Sequence, residues 1–357
     1  MSTIARWLQA ITKSALVVLA GSGAALASVS DSSLHVAPLA VRVLVINMFQ
    51  LEAAPWIDAL HPDRQVAVPG LPDEYPWVRC NGDAVCQMTT GMGHANAAAS
   101  LMAVLYSGEF DFRQTYFIIA GIAGIDPARG TIGTAAWARY AVDVGIAHEI
   151  DARELPGSWQ DGYFGVMTDS PEAMPKPDYR SEVFRLDENL LQRAYALSKS
   201  VALEDSDDVR TYRRHYPSAP ANQAPAVTIC DTASGDTWWI GNRLGEHARH
   251  WVRLLTKDAG VYCTTQQEDN ATLTALTRAA NSGLADFHRV AILRSGSDFD
   301  RPYPQQKVLD SLRTQLHMQN TLRISTDNLV RAGMPLVEDI VRHWDRWQGG
   351  APAAAQQ

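Results

Sequence analysis

Apolar positions along the chain fall into short β-branched runs separated by glycine turns and by longer stretches with helical spacing. The run VRVLVINMF, residues 41–49, predicts a buried strand, and residues 51–60 predict an irregular segment or a helix interrupted by Pro55. After a proline-rich stretch, residues 85–89 predict another strand. TTGMGHANAAASLMAVLYS then reads as a glycine turn leading into an alanine-rich helix with Ala97, Leu101, Val104 and Leu105 on one face. TYFIIAGIAG predicts a strand ending in a Gly-x-x-Gly turn, and GTIGTAAWARYAVDV a strand pair or one bent strand. Further strands are expected at 226–231 and 288–298, helices at 243–255 and 270–282, and an amphipathic closing helix at 329–347. Strands alternating with helices of this length predict an α/β layered fold with a central, largely parallel or mixed sheet.

One domain is expected to run over 40–347, followed by a frayed tail at 348–357. The segment 157–225 breaks the alternation and reads as an insertion or lid. It holds several prolines, a helix expected from the N-cap Asp187 to about residue 202, and the polar stretch EDSDDVRTYRRHYP.

The first residues bear on where this domain works. Arg6 and Lys13 precede SALVVLAGSGAALA, and Ala25-Leu26-Ala27 before Ser28 has the small-x-small form of a signal-peptidase site. The apolar stretch is shorter than the roughly 20 residues a spanning helix needs. Residues 1–27 are therefore expected to be a signal peptide cleaved near Ala27, leaving an exported chain, periplasmic or secreted. The four cysteines lie beyond that point and suit disulfides in such a compartment. Cys80 and Cys86 flank an Asn81-Gly82 hairpin signal and are expected to pair, while the pairing of Cys230 with Cys263 stays open. No CxxC pair or histidine cluster stands in the chain, so no metal is expected. A formal net charge of −8, with no basic run, excludes nucleic acid as a partner.

Open α/β sheets place ligands beyond the carboxyl ends of their strands. NMFQLE, TGMGHA, GIAGID, TASGDTWW and RSGSDFD stand at those places, and there is no GxSxG elbow, Walker loop, HExxH or GxGxxG with a trailing acid. In this order the series resembles the nucleoside phosphorylase and nucleosidase superfamily. Within it the chain resembles the purine nucleoside permease family, whose TTGMGHANAA and GIAGIDP stand at 89–98 and 121–127. The resemblance covers about residues 41–301. It implies a three-layer phosphorylase-type fold, a purine nucleoside as ligand, no cofactor and a homo-oligomer.

The resemblance also assigns roles to single residues. In SGDTWW the aromatic that stacks on the purine falls on Trp238, and Trp239 beside it is either a second contact or a core tryptophan. Asp298, preceded by Ser297, matches the acid that protonates or hydrogen-bonds the purine N7; a turn cap is the other use of such a residue, and Asp300 competes for the role. QQEDNAT lies where the superfamily grips the ribose hydroxyls, which falls on Glu268 or Asp269 with Asn270 beside them, or else caps the next helix. Glu52 stands where hydrolytic members carry the glutamate that activates water, or else is a first-turn helix acid. Gly91, Gly93, Gly121 and Gly124 are expected to form a backbone cradle for the sugar or an anion, with His94 at its edge.

NMFQLE lacks the arginine that similar phosphorylases bring to phosphate. The expected activity is therefore hydrolysis of the N-glycosidic bond of purine nucleosides, with Asp298 as acid and Glu52 as base. Two alternatives stay open: a non-catalytic uptake component that delivers nucleosides to a membrane transporter, and a nucleoside phosphorylase.

Overall fold

A strand covered by helices on both faces is buried on both, and the central strands are. β1 (Val43–Asn47) and β2 (Val85–Thr89) are buried at every position. The computed structural model describes residues 37–353 apart from 177 and 319, so the expected leader lies outside the described residues. β1 runs parallel to β2 on one side and to β3 (Tyr116–Ile125) on the other. Three later strands complete the centre: β4 (Asp231–Ser234), β5 (Tyr262–Gln266) and β6 (Val290–Phe299). β6 runs parallel to β3 along its length, β5 meets β3 antiparallel at Ile125 and Gly124, and β4 runs parallel to β5. The result is a mixed sheet of 12 strands.

Helices follow the strand ends: α1 (Gln50–Leu60), α2 (His94–Leu105), α3 (Asn242–Leu255), α4 (Asp269–Asn281), α5 (Val308–His317) and α6 (Thr321–Arg342). The period-two alternation of β1 divides them between two layers. Leu44 and Ile46 pack with Leu101 and Val104 of α2 and with Leu273 and Leu276 of α4. Val43 and Val45 pack on the opposite face with Trp56 of α1 and with Leu329 and Leu336 of α6. Each such aliphatic side chain contributes about 1.5–3 kcal/mol by leaving water.

Several sequence expectations change. Pro55 does not interrupt α1; the carbonyl it leaves without a donor is that of Leu51, a residue 50% exposed, where water can reach it. The Gly-x-x-Gly stretch is no turn, because β3 continues through Gly121 and Gly124 to Ile125. The 226–231 run breaks at Cys230 into two strands, Val227–Ile229 beside Ala135–Trp137 and β4 beside Tyr140–Asp143. The closing helix starts at Thr321, earlier than its apolar pattern suggests, since its first turns bury polar residues with backbone partners: Ser325 Oγ donates to Gly296 O at 2.6 Å and Asn328 Nδ2 to Gly133 O at 2.9 Å. The polar stretch after residue 204 holds a helix, Asp207–Arg213, capped by Ser206. Cys80 and Cys86 face each other in the hairpin register and are bonded at 2.04 Å, and Cys230 is bonded to Cys263.

Candidate active site

The carboxyl ends of β1, β3, β5 and β6 open into one cavity of about 260 Å³. Glu52 enters it from the first turn of α1 but is no solvent-facing helix acid, being only 1% exposed. Its Oε2 accepts the N–H of Met48 and its Oε1 the N–H of Ile122, both at 2.7 Å. Burial lifts this carboxyl to about 7; the charge of Arg294 opposes the rise and that of Glu268 adds to it.

Asp298 stands opposite at the end of β6, just past a register shift against β3. Ser297 Oγ donates to its Oδ1 at 2.8 Å, and the Trp238 indole also hydrogen-bonds its carboxyl. Burial lifts Asp298 to about 6 against those two bonds, with the charge of Asp300 adding to the rise. Asp300 does not compete for the cavity. It is fully buried, with Tyr262 OH donating to it at 2.8 Å and Arg301 Nε at 2.7 Å.

Glu268 lines the cavity as well, and its neighbour does not. Glu268 Oε1 accepts the N–H of Gly93 at 3.1 Å and its Oε2 accepts from Arg294 Nη2 at 3.2 Å. Asp269 turns inward and takes Arg294 Nη2 at 2.6 Å. The cap of α4 is made by neither acid's side chain: Gln266 Oε1 accepts the N–H groups of Glu268 and Asp269 at 2.7 and 2.9 Å.

The structure thus brings Glu52, Gly124, Trp238, Glu268, Ser297 and Asp298 to one cavity and withdraws the other candidates. Trp239 packs away from it, against Tyr262 and the α3 cluster. Asn270 sends Nδ2 to the carbonyls of Ser181 and Glu182 at 2.6 and 3.3 Å and so pins that segment instead of a sugar. Gly91 and Gly93 hold positive φ angles of 82° and 88° that turn the chain into α2, but the Gly93 N–H is occupied by Glu268. His94 is engaged outside the cavity, its Nε2 2.9 Å from Ser234 Oγ. Gly121 lies behind the site, where a β-carbon would overlap Arg294 Nη1 and stand 2.9 Å from Glu52 Oε1.

Two features escaped the sequence reading. Arg294, only 1% exposed, joins Glu268, Asp269 and the carbonyl of Ile122 beneath the cavity. Burial opposes its charge, but Asp269, Glu268 and Glu52 outweigh that and hold the guanidinium above its ordinary value. A lone arginine inside VAILRSGSD was the signal, because a charge in a buried strand demands a carboxylate. The second feature is the α5–α6 corner, whose Leu316, Met318 and Leu322 form an apolar wall. Nothing in its local pattern says which cavity it reaches.

Comparison with known proteins bears on this arrangement. The sequence profile described as purine nucleoside permease matches residues 40–352. The chain belongs to the purine nucleoside permease family. A probable purine nucleoside permease of Schizosaccharomyces pombe is 42% identical over 321 residues, 86% of this chain and 90% of that protein. The purine nucleoside permease of Candida albicans is 36% identical over 310 residues, 85% of this chain and 76% of that protein. Among solved structures, the futalosine hydrolase of Helicobacter pylori superposes with a TM-score of 0.53 at 11% identity, covering 84% of this chain and 98% of that one. The MTAN of the same organism, solved with 5′-methylthioadenosine in its active site, superposes with a TM-score of 0.54 at 10% identity, covering 84% and 99%. At those identities the likeness is one of fold: the family member described here has the nucleosidase-type α/β architecture.

Proposed function

We propose that the cavity takes a purine nucleoside and hydrolyses its N-glycosidic bond. The observation that carries this reading is the pair of carboxyls, Glu52 at about 7 and Asp298 at about 6, that face one cavity from different strand ends. Carboxyls raised toward neutrality suit proton transfer at physiological pH. Trp238, 51% exposed, offers the base a flat apolar surface beside Asp298. Glu268 accepts from the ribose hydroxyls. Glu52 takes a proton from water as its oxygen bonds to C1′. The C1′–N9 bond breaks with its electron pair passing to the base, and Asp298 gives its proton to N7. The products are free base and free sugar.

The charge of the lining supports water over phosphate as the nucleophile. It includes three carboxyls, Glu52, Glu268 and Asp298, and among the described residues no Lys, Arg or His. A dianionic phosphate would meet repulsion there, as would a 5′-phosphorylated nucleoside.

The relatives' names favour a second reading, in which the chain binds nucleosides and hands them to a membrane transporter. No described helix is long and apolar enough to cross a membrane. In both readings the chain is exported through residues 1–27 and works as a homo-oligomer. One experiment separates them: the purified chain from Ser28 onward is incubated with adenosine, inosine and guanosine, with and without phosphate, and base and sugar are resolved by chromatography. Free base and free sugar without phosphate support hydrolysis. Base released only with phosphate makes the chain a phosphorylase, and binding without release leaves the uptake reading.

A further inference from the structure

We propose that Gln315 is a positioning residue that aims Asp298 by standing in for a missing strand. The proposal rests on the reading of Asp298 as the group that meets the purine N7.

β6 is unequally supported on its two edges. Along one edge it pairs with β3 as far as Asp298 opposite Gly124 and Phe299 opposite Ile125. Along the other edge Ala135–Trp137 pairs only with residues 293–295, and two backbone bonds at Gly296 end the support. Phe299 is fully buried beyond that point, and each of its backbone groups left unmet there would cost about 1–3 kcal/mol.

Gln315 of α5 meets both. Its Oε1 accepts the N–H of Phe299 at 2.6 Å, and its Nε2 donates to the Phe299 carbonyl at 3.2 Å. A side-chain amide carries one acceptor and a donor pair, so it can dock on a strand edge as a neighbouring peptide would. Nε2 also donates to Ser311 Oγ at 3.2 Å, and that hydroxyl lies 3.2 Å from Tyr212 OH. Tyr212 belongs to the 157–225 segment, which thereby braces the strand end from outside the cavity.

The geometric consequence falls on Asp298. The N–H of Phe299 and the carbonyl of Asp298 share one planar peptide, so holding that N–H fixes ψ of Asp298 and the direction in which its carboxyl leaves the strand. The adjoining register shift between Gly296 and Asp298 makes this a place where a side chain is re-aimed and the ladder is interrupted. Gln315 is itself 6% exposed and also lines the cavity.

Two variants of the mature chain test the clamp. Gln315→Met keeps the volume and loses both bonds. Gln315→Glu keeps the acceptor and regains a donor only when the introduced carboxyl is protonated. Inosine hydrolysis and hypoxanthine binding by calorimetry are followed between about pH 5 and about pH 8. Gln315→Met is expected to lower kcat about 10- to 100-fold with KM changed less than about threefold, and Gln315→Glu to recover toward wild type as pH falls. Wild-type kcat in both variants, or equal losses in kcat and KM at every pH, overturns the proposal. If Gln315→Met does not fold, the pH-dependent recovery of Gln315→Glu decides alone.

If the wild type binds hypoxanthine but hydrolyses nothing, the glycosidase reading fails and the clamp is still read from the base. Gln315→Met is then expected to weaken hypoxanthine about tenfold, with Gln315→Glu recovering at low pH. Unchanged hypoxanthine affinity in both overturns the clamp, and a wild type that neither hydrolyses nor binds overturns both ideas.

Discussion

Glu52 Oε1 accepts the backbone N–H of Ile122 at 2.7 Å, and this carboxyl together with the Arg294 guanidinium leaves residue 121 no room for a β-carbon. The obstructing atoms, Arg294 Nη1 nearest and then Glu52 Oε1 at 2.9 Å, are side-chain ends held by buried hydrogen bonds. Gly121→Ala is therefore expected to displace the Arg294 guanidinium and with it the Glu52 carboxyl that the proposal makes the base. Its kcat on inosine should fall at least about tenfold, since misplacement by a fraction of an ångström is enough. Hypoxanthine affinity, which the proposal places on Trp238 and Asp298, should hold. A folded Gly121→Ala with wild-type kcat contradicts a reaction that depends on the joint placement of Glu52 and Arg294.

If the cavity hydrolyses nucleosides as proposed, the two raised carboxyls set the pH profile. Hydrolysis needs Asp298 protonated and Glu52 ionised, yet Asp298 stands at about 6 and Glu52 at about 7. The reactive form is then the minority pairing of protonation states. The kcat/KM profile is expected to be a bell centred near pH 6.5, rising through about 6 and falling through about 7. A plateau extending above pH 8 would falsify the assignment of Asp298 as proton donor.

Trp238 and Trp239 separate by the same logic. Trp238 is half exposed in the cavity, and Trp239 packs with Tyr262 and the α3 cluster. Trp238→Ala should weaken purine binding by about 1–3 kcal/mol, the worth of a base stacked on an aromatic ring. Trp239→Ala should leave affinity near wild type and lower the thermal midpoint. Calorimetry and thermal melts on both variants check this, and the reverse pattern exchanges their roles.

How much of this was legible depends on which forces act locally. β1, β2, β3 and β6 were, because each carries an apolar run and the chemistry-bearing residues stand at their ends, whereas β5, YCTTQ, has no such run and was not expected. The GIAG stretch was misread because glycines signal a turn by themselves, whereas here Gly121 makes way for Glu52 and Arg294, which come from other elements. Glu268 and Asp269 could not be told apart, since adjacent side chains diverge by a rotation that only the packing of α4 fixes. Trp239, Asn270 and His94 are drawn away by Tyr262, the Ser181 and Glu182 carbonyls, and Ser234, partners distant in sequence.

Arg294 neutralises a cluster of carboxyls under the cavity. Arg294→Met should destabilise the chain by about 3–5 kcal/mol, the usual cost of leaving buried charges unpaired. Urea denaturation measures it. In whatever folded enzyme remains, Glu52 loses the cation that lowers its pKa, so the falling limb of the kcat/KM profile should move to higher pH. A variant as stable as wild type contradicts the ion-paired geometry.

Glu52 should also leave a signature in stability that needs no substrate. Its carboxyl rises from an ordinary 4.5 to about 7 in the folded chain. The folded state therefore holds this proton while the unfolded state releases it. The stabilisation is fully present below about 4.5, is lost as pH climbs to about 7, and does not change further once both states are ionised. Glu52→Gln cannot titrate, and the groups that do not face Glu52 cancel in the comparison with wild type. The wild type should accordingly lose stability relative to Glu52→Gln across that window, by about 3 kcal/mol at most at 1.36 kcal/mol per pKa unit. Denaturation midpoints of the two proteins at several pH values measure the difference. A constant offset across the window means that Glu52 is ionised at its ordinary pKa and is not poised near neutrality, whereas an offset that grows with pH locates the base independently of any assay of turnover.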